Sequence, residues 1–523
     1  MVGAGFAGLY MLHRLRESGL RVRAFERAGG VGGTWYWNRY PGARCDLDSV
    51  EYSYQFSDAL QQEWRWSERF AGQPEILRYL EHVADRFDLR RDIQFNTTVT
   101  EAAYDEAAGY WRIATDDGQR LSATYCILAT GCLSVPNRPA FDGLDRFQGE
   151  WYHTGAWPHE AISFAGKRVG IVGTGSSAVQ AIPVIAVEAR HLTVFQRQAS
   201  YSIPARNAPL DDAEYAAIRA RYGELRRQAR ETPSGCWWSA NLTAAAEMSA
   251  EERKHELEAR WRTGGLCFYG VFKDVLVNTE ANDIAAEFLR SKIRAQVRDP
   301  EVATLLTPRS VVGCKRICLD TDYYATFNRP NVTLVDISDA RIEEITRTGL
   351  RTGGDHYELD TIVFAIGFDA MTGPLLRVDI RGRGGRSLQA KWADGPRTYL
   401  GLAIEGFPNL FTMTGPTSPS VLASMVPAIE QHAEWIADCI AYARAHARPR
   451  IEAMRAAEDA WIAHQEEAAG STLFPACNSW YVGANVEGKP RRVLPYTGGF
   501  SAYVEKCDAI VANEYEGFSL SAG

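Results

Sequence analysis

Two stretches of the chain run apolar, then glycine-rich, then amphipathic. The first, from Met1, places apolar residues at Leu9, Leu12 and Leu15, the spacing of one helical face. The second, RVGIVGTGSSAVQAIPVIA from Arg168, predicts a buried strand before Gly173 and an apolar helix after it. Each is followed by a short strand, LRVRAFER ending near Arg27 and HLTVFQRQ ending near Gln198. Strand, glycine turn, helix and strand make the βαβ unit of a doubly wound parallel sheet. The pattern therefore predicts an α/β chain with two Rossmann-like dinucleotide-binding domains. YCILATG (Tyr125–Gly131) and LDTIVFAIG (Leu359–Gly367) read as further buried strands ending in turns. From Pro204 to Thr307 the period is helical, as in AEYAAIRARYGELRRQARE, which predicts a helical insertion in the second unit. After Phe368 the chain is expected to return to the first unit, through FPNLFTMTG and a helix from Ser420 to Ala447.

Composition narrows the class. A length of 523 residues exceeds one ordinary core, and 46% hydrophobic with 23% charged residues describes a globular chain, not a disordered one. A net charge of −8 without a basic block argues against nucleic acid and against an anionic membrane surface. No apolar run approaches bilayer-spanning length, and the mildly apolar start lacks the basic leading region of a signal peptide. The ten cysteines are scattered singly with no CxxC, which indicates neither a zinc ribbon nor a dithiol redox centre. Scattered thiols suit a reducing compartment, so a cytoplasmic enzyme without a metal site is expected, as a monomer or weak homo-oligomer.

The glycine turns are phosphate cradles. Gly3 makes the tight turn, Gly5 lets backbone amides approach a pyrophosphate, and Gly8 permits close helix–sheet contact at a helix N-terminus that favours an anion. Glu26 ends the next strand, where a carboxylate can accept bonds from ribose hydroxyls and would repel a 2′-phosphate. This half should take FAD or NAD. The second cradle is Gly173, Thr174, Gly175, Ser176 and Ser177, closed by Ala178. Its following strand ends in Arg197, which can pair with a 2′-phosphate and favours NADP; a solvated surface charge is the alternative. A flavin plus a nicotinamide nucleotide implies hydride transfer between them. That leaves a disulfide reductase, a monooxygenase or a dehydrogenase open. Only Cys45 lies close behind the first cradle, unpaired, so the reductase is set aside.

Two longer motifs choose between the rest. FQGEWYHTGAWP (Phe147–Pro158) has the form FxGxxxHTxxWP, and GGTWYWNRYPGARCD (Gly32–Asp46) the form GGxWxxxxYPGxxxD. Here the chain resembles the Baeyer–Villiger monooxygenases. VFQRQASYSIPARN, KRICLDTDYYATFNRPNV, GPTSPSVLASMVPAIEQHAEWI and SWYVGANVEGKPR extend the resemblance over essentially the whole chain. The PSVLASM and PARNAPLDD stretches look most like the phenylacetone and steroid branch. The resemblance implies an FAD domain from 1–139 and 369–523 and an NADP domain at 140–368, with a helical subdomain at about 204–307. It implies FAD, NADPH, O2 and a small ketone, converted to an ester or lactone through a peroxyflavin, with sulfides as further substrates. An N- or S-hydroxylating flavin monooxygenase is the alternative reading.

Position by position, the resemblance implies that Arg316 is the catalytic arginine and Asp46 the acid near the flavin. Thr34, Trp35, Tyr52, Val99 and Met425 fall to FAD; from the residues alone, Trp35 and Tyr52 fit core aromatics equally well. Arg197, Gln198 and Lys315 fall to the 2′-phosphate of NADP, and Trp480 to a mobile loop over the nicotinamide. His153 is the signature histidine of a hinge between domains. A permanently charged guanidinium suits a peroxide anion and the oxyanion of a tetrahedral adduct. Two departures from the family stand out. Only Met1 and Val2 precede Gly3, so the first strand is expected to be nearly missing, as in a trimmed chain. Ile366 also stands where a threonine is usual.

Overall fold

The computed structural model describes residues 1–522. Its first sheet is parallel, with Ile93–Gln94 beside Ala24–Phe25, then Val2, then Cys126–Leu128, then Leu410–Thr412. Segments from both ends of the chain thus share one sheet. The first strand is indeed reduced, to Val2, but it is not absent from the ladder. Val2 N–H donates to the Ile127 carbonyl at 2.9 Å, and its own carbonyl accepts from Ala129 N–H at 2.9 Å. On the other side, Gly3 N–H donates to Phe25 O at 2.8 Å and Phe25 N–H to Met1 O at 3.0 Å. Two residues suffice to pair both neighbours because ladder bonds need backbone, not side chains.

The helix Phe6–Glu17 follows, burying Leu9, Met11, Leu12 and Leu15 against the long helix Met425–Ala445. That long helix begins later than its apolar pattern predicts. Ser420–Leu422 forms a separate turn, and Ala423, with extended backbone at φ −118° and ψ 171°, interrupts the two. Asp379–Arg381, also from the later part of the chain, joins the strand Val99–Asp105 of a smaller four-stranded sheet.

The second sheet is five-stranded and parallel: Val332–Asp336, His191–Gln196, Arg168–Val172, Thr361–Phe364 and Glu150–His153. All four residues of Thr361–Phe364 and four of the five in Arg168–Val172 are buried, as expected where helices cover both faces of a parallel sheet. Ser202–Pro204 pairs in parallel with Cys318–Asp320, bracketing the helical insertion. That insertion contains the helices Asp212–Ala220, Tyr222–Arg230, Ala250–Thr263, Thr279–Gln296 and Pro300–Leu305. Their starts are locally encoded. Ser249 caps the third with a reciprocal bond from Glu252, and Asp299 caps the last just before Pro300.

The scattered-thiol expectation fails at one place. Cys314 and Cys477 are joined in a disulfide across 163 residues of chain, with Cα atoms 5.3 Å apart. The other eight cysteines are free and buried.

Candidate active site

At the first cradle, Gly3 adopts φ +103°, which favours glycine, and a Cβ on Gly8 would stand 2.0 Å from the Gly3 carbonyl oxygen. Only glycine allows this helix to approach this strand. No side chain caps the helix at Gly5, so its first amides remain available to an anion. Thr34 is exposed beside Gly33, whose Cα lies 3.3 Å from the place of a Gly5 Cβ. Glu26 is buried, and its carboxylate is already engaged. It accepts from Ala4 N–H and from Ala28 N–H, each at 2.8 Å, and so clamps the turn to the following strand. Each oxygen keeps a second lone pair for a ligand hydroxyl. Trp35 donates from its indole nitrogen to the Tyr52 hydroxyl at 3.2 Å, with the rings edge to face. Val99 lies apart from these. Its side chain is enclosed in a core with Phe25, Cys126 and Trp111.

At the second cradle, Gly173 has φ +112° and a Cβ there would meet the Ala365 carbonyl at 2.4 Å, whereas Gly175 faces open space. The helix Ser176–Glu188 again starts without a side-chain cap, with Ser176 exposed at its first turn. Thr174 donates to the Gln198 carbonyl at 2.8 Å, and Lys315 donates from Nζ to Gln198 Oε1 at 2.9 Å. Arg197 is exposed next to them. Burial first, and the nearby Arg197 charge second, push the Lys315 pKa down. Two cations crowded beside an uncapped helix fit a phosphate between them. Tyr40 and Arg44, in the motif after the first cradle, bond to Gln180 on this second helix, which couples the two cradles.

Arg316 lies between Lys315 and the strand Cys318–Asp320. Its Nε and Nη2 donate to the two oxygens of Asp46 at 2.5 and 3.0 Å, and Nη1 donates to the Val421 carbonyl at 2.8 Å. Burial works against the charge, but the Asp46 carboxylate more than offsets it, so the guanidinium stays cationic. Its side chain is still 24% exposed. Tyr269 accepts from Ile317 N–H at 2.9 Å and fixes the same segment from the helical insertion. Trp480 stacks obliquely on Tyr481 at 4.2 Å and packs in one cluster with Val421, Met425, Met371 and Leu494. The loop beyond it is tied down by Asn485 to the Phe368 carbonyl at 2.7 Å and by Lys489 to Asp369 at 2.8 Å.

His153 ends its strand, packed edge to face against Phe368. Its Nδ1 accepts from Gly155 N–H at 2.9 Å, and burial pushes its pKa down to about 4, so it is neutral at pH 7. Two connecting strands cross here, with Asn137 N–H bonded to Gly367 O and Asp369 N–H to Val135 O, each at 2.9 Å.

A family model described as flavin-binding monooxygenase-like matches residues 1–208. A Baeyer–Villiger monooxygenase from Pseudooceanicola batsensis is 43% identical over 519 residues, covering 98% of this chain and 94% of the relative. The chain belongs to the Baeyer–Villiger monooxygenase family. A phenazine N-monooxygenase from Lysobacter antibioticus is also 43% identical, over 99% of this chain and 96% of its own. Among solved structures, an oxidised steroid monooxygenase bound to NADP superposes with a TM-score of 0.96 at 53% identity, covering 100% of this chain and 99% of that one. This Baeyer–Villiger monooxygenase is an FAD- and NADPH-dependent enzyme, and its two cradles fit those groups: an acid-clamped turn for one and a two-cation pocket for the other. Among its described residues, no helix is long and apolar enough to cross a membrane.

Sequence reasoning missed Tyr269, Tyr481, Tyr40 and the Val421 carbonyl. Tyr40 and Tyr481 stood inside quoted motifs beside more conspicuous residues. Tyr269 had no local signal, and a carbonyl is invisible in any sequence.

Proposed function

We propose that this enzyme inserts one atom of O2 beside the carbonyl of an organic ketone, giving an ester or lactone, and that it also oxidises sulfides. Bound FAD, reduced by NADPH, supplies the electrons that activate dioxygen. The protein's part is charge, position and dryness. The observation that carries the reading is Arg316, a permanent cation oriented by Asp46 and the Val421 carbonyl where segments from both cradles and the Trp480 loop converge. Such a group stabilises an oxyanion as it forms on the substrate carbonyl. The Trp480–Tyr481 pair and its apolar cluster exclude water from that place.

Under this reading, Gly3, Gly5, Gly8, Glu26, Thr34, Trp35, Asp46, Tyr52 and Met425 serve FAD, and Val99, whose side chain is enclosed in the core, contributes only through its backbone. Gly173, Thr174, Gly175, Ser176, Ser177, Arg197, Gln198, Lys315 and Trp480 serve NADP. Residues 1–139 with 369–523 then form the FAD domain and 140–368 the NADP domain. The shared sheet of Val2, Cys126–Leu128 and Leu410–Thr412 supports that division, and His153 sits at the crossing between the two. The enzyme works in the cytoplasm as a monomer or weak oligomer.

N-oxidation is the second reading, favoured by the phenazine N-monooxygenase relative. Incubation with phenylacetone, cyclic ketones, a keto-steroid and a phenazine, with products identified by mass, separates the two. Esters or lactones support the proposal, whereas N-oxide formation without any ester refutes it. Arg316→Ala should still let NADPH bleach the flavin in rapid mixing but should form no ester. Appreciable ester from that variant would end the assignment of Arg316.

A further inference from the structure

The disulfide joins two segments that meet at Arg316. Cys314 directly precedes Lys315 and Arg316, and Cys477 lies three residues before Trp480. Both are 6% exposed, yet Cys477 sits between exposed Ala476 and Asn478, at the rim of the fold. Beyond it, the loop turns at Gly483 and Gly488, both at positive φ, and is held non-covalently by the Asn485 and Lys489 bonds to residues 368–370, by Leu494 N–H on the Tyr481 carbonyl and by the packing of Trp480 and Tyr481. The sulfur–sulfur bond is therefore the one covalent tie between the Trp480 loop and the Arg316 segment.

The other eight cysteines do not share this setting. All are buried, and burial pushes each thiol upward, Cys126 to about 11 and Cys318 and Cys507 to about 12. Such thiols carry little thiolate and resist oxidation. Only the 314–477 pair combines a nearby partner with a rim position and a neighbouring lysine, features of a redox-responsive thiol.

We propose that Cys314 and Cys477 form a reversible oxidative modification site, whose disulfide latches the Trp480 loop over Arg316. The oxidant is a peroxide, the class of molecule released when NADPH oxidation is not coupled to product. One thiolate attacks a peroxide oxygen, breaking the O–O bond; with hydrogen peroxide, water is released and a sulfenic acid remains. The second thiol attacks that sulfur, the S–S bond forms, the S–O bond breaks and a second water leaves. Two sulfurs give up two electrons, and the peroxide takes them. A dithiol reductant reverses the change by thiol–disulfide exchange. Leaked peroxide thereby closes the loop that limits further leakage. The benefit to turnover rests on the roles proposed above for Arg316 and Trp480; the latch itself does not.

The test uses the FAD-loaded enzyme exposed to hydrogen peroxide or to dithiothreitol. Alkylation after denaturation should find eight thiols in the oxidised form, the free cysteines, and all ten in the reduced form. Trypsin should cut after Arg491 or Arg492 several-fold faster in the reduced form. Reduction should also raise the peroxide released per NADPH several-fold. A Cys314→Ser/Cys477→Ser variant should behave as the reduced enzyme and ignore both reagents, while Cys439→Ser should respond like the parent. Should the double variant not fold, the reagents on the parent decide alone. Ten alkylated thiols after peroxide treatment would overturn the proposal, as would equal cleavage and equal leakage in the two forms. If Arg316→Ala still makes ester while thiol count and cleavage respond as described, the catalytic reading falls and the latch stands.

Discussion

Asp46→Asn removes the charge that holds Arg316 while barely changing shape. Asp46 accepts from both Nε and Nη2 of Arg316, and an asparagine can offer an oxygen to only one of them. Its amide nitrogen then faces a guanidinium N–H, donor against donor. The side chains are 24% and 21% exposed, too enclosed for the near-zero value of a surface pair. Breaking a buried pair costs about 3–5 kcal/mol, and partial exposure puts this case near about 3 kcal/mol. In a chain of this size each kcal/mol lowers Tm by about 2 °C or less, so a fall on the order of 5 °C is expected. The functional effect should be selective. Flavin reduction by NADPH should proceed at the parental rate, since Lys315, Gln198 and the second cradle are untouched. Product per NADPH should fall, with hydrogen peroxide making up the difference, because Arg316 retains only the Val421 carbonyl and one uncharged bond at position 46 as anchors. Thermal melts, rapid-mixing reduction and a peroxide assay measure the three quantities. A double-mutant cycle with Arg316→Ala should return a coupling of about 2–3 kcal/mol. Parental melting together with parental product yield in Asp46→Asn would show that the pair positions nothing.

Arg197→Ala should lower the preference for NADPH over NADH by about one to two decades in KM, from losing a charge-assisted pair of about 1.5–3 kcal/mol; an unchanged preference would make Arg197 a bystander. Gly8→Ala should purify with little flavin, since its methyl would stand 2.0 Å from a backbone oxygen that cannot rotate away, and the flavin-to-protein absorbance ratio measures this. Glu430→Gln tests a buried acid. Its Oε1 accepts from Gln55 and Phe56 N–H, its Oε2 has no partner among the described residues, and burial pushes its pKa up to about 8. A raised folded-state pKa means stability present below the ordinary value of 4.5 and lost as pH rises to about 8. The melting advantage of Gln over Glu should therefore grow between those pH values and then level off; a difference flat with pH would refute the buried charge.

What the sequence revealed is what contiguous residues encode. Gly3, Gly5 and Gly8 lie within one glycine turn and Glu26 within the same βαβ unit, so spacing alone made each cradle legible. Arg316 and Asp46 are 270 residues apart, and only resemblance paired them. Cys314 and Cys477, 163 residues apart, had no such aid and were read as separate thiols. The first strand, read as nearly missing because only two residues precede Gly3, is reduced to Val2, whose backbone pairs both neighbours in a way no residue count could show. The late start of the helix at Met425 follows from an extended Ala423, which no apolar period could reveal. Glu26 does follow the strand Ala24–Phe25, but its bonds to Ala4 and Ala28 depend on two loops meeting in space.

Two consecutive cations, Lys315 and Arg316, are treated in opposite ways by the fold, and this separates binding from chemistry. Lys315 meets an amide oxygen and another cation, and among the described residues no carboxylate pairs with it or with Arg197. That pocket gains most from a permanent anion, which is what a nucleotide 2′-phosphate provides. Arg316, one residue on, is already neutralised by Asp46, and one of the two Nη1 hydrogens is taken by Val421. A resting anion would gain little by displacing a bidentate carboxylate, so under the proposed function Arg316 is a poor trap for phosphate or product. A charge that appears only during reaction, at fixed distance from an oriented guanidinium, meets a field already in place and needs no reorganisation. Under the proposed function, the carboxylate that weakens Arg316 as a binding group suits it to a transient oxyanion, a role that Lys315, without such a partner, would fill less well.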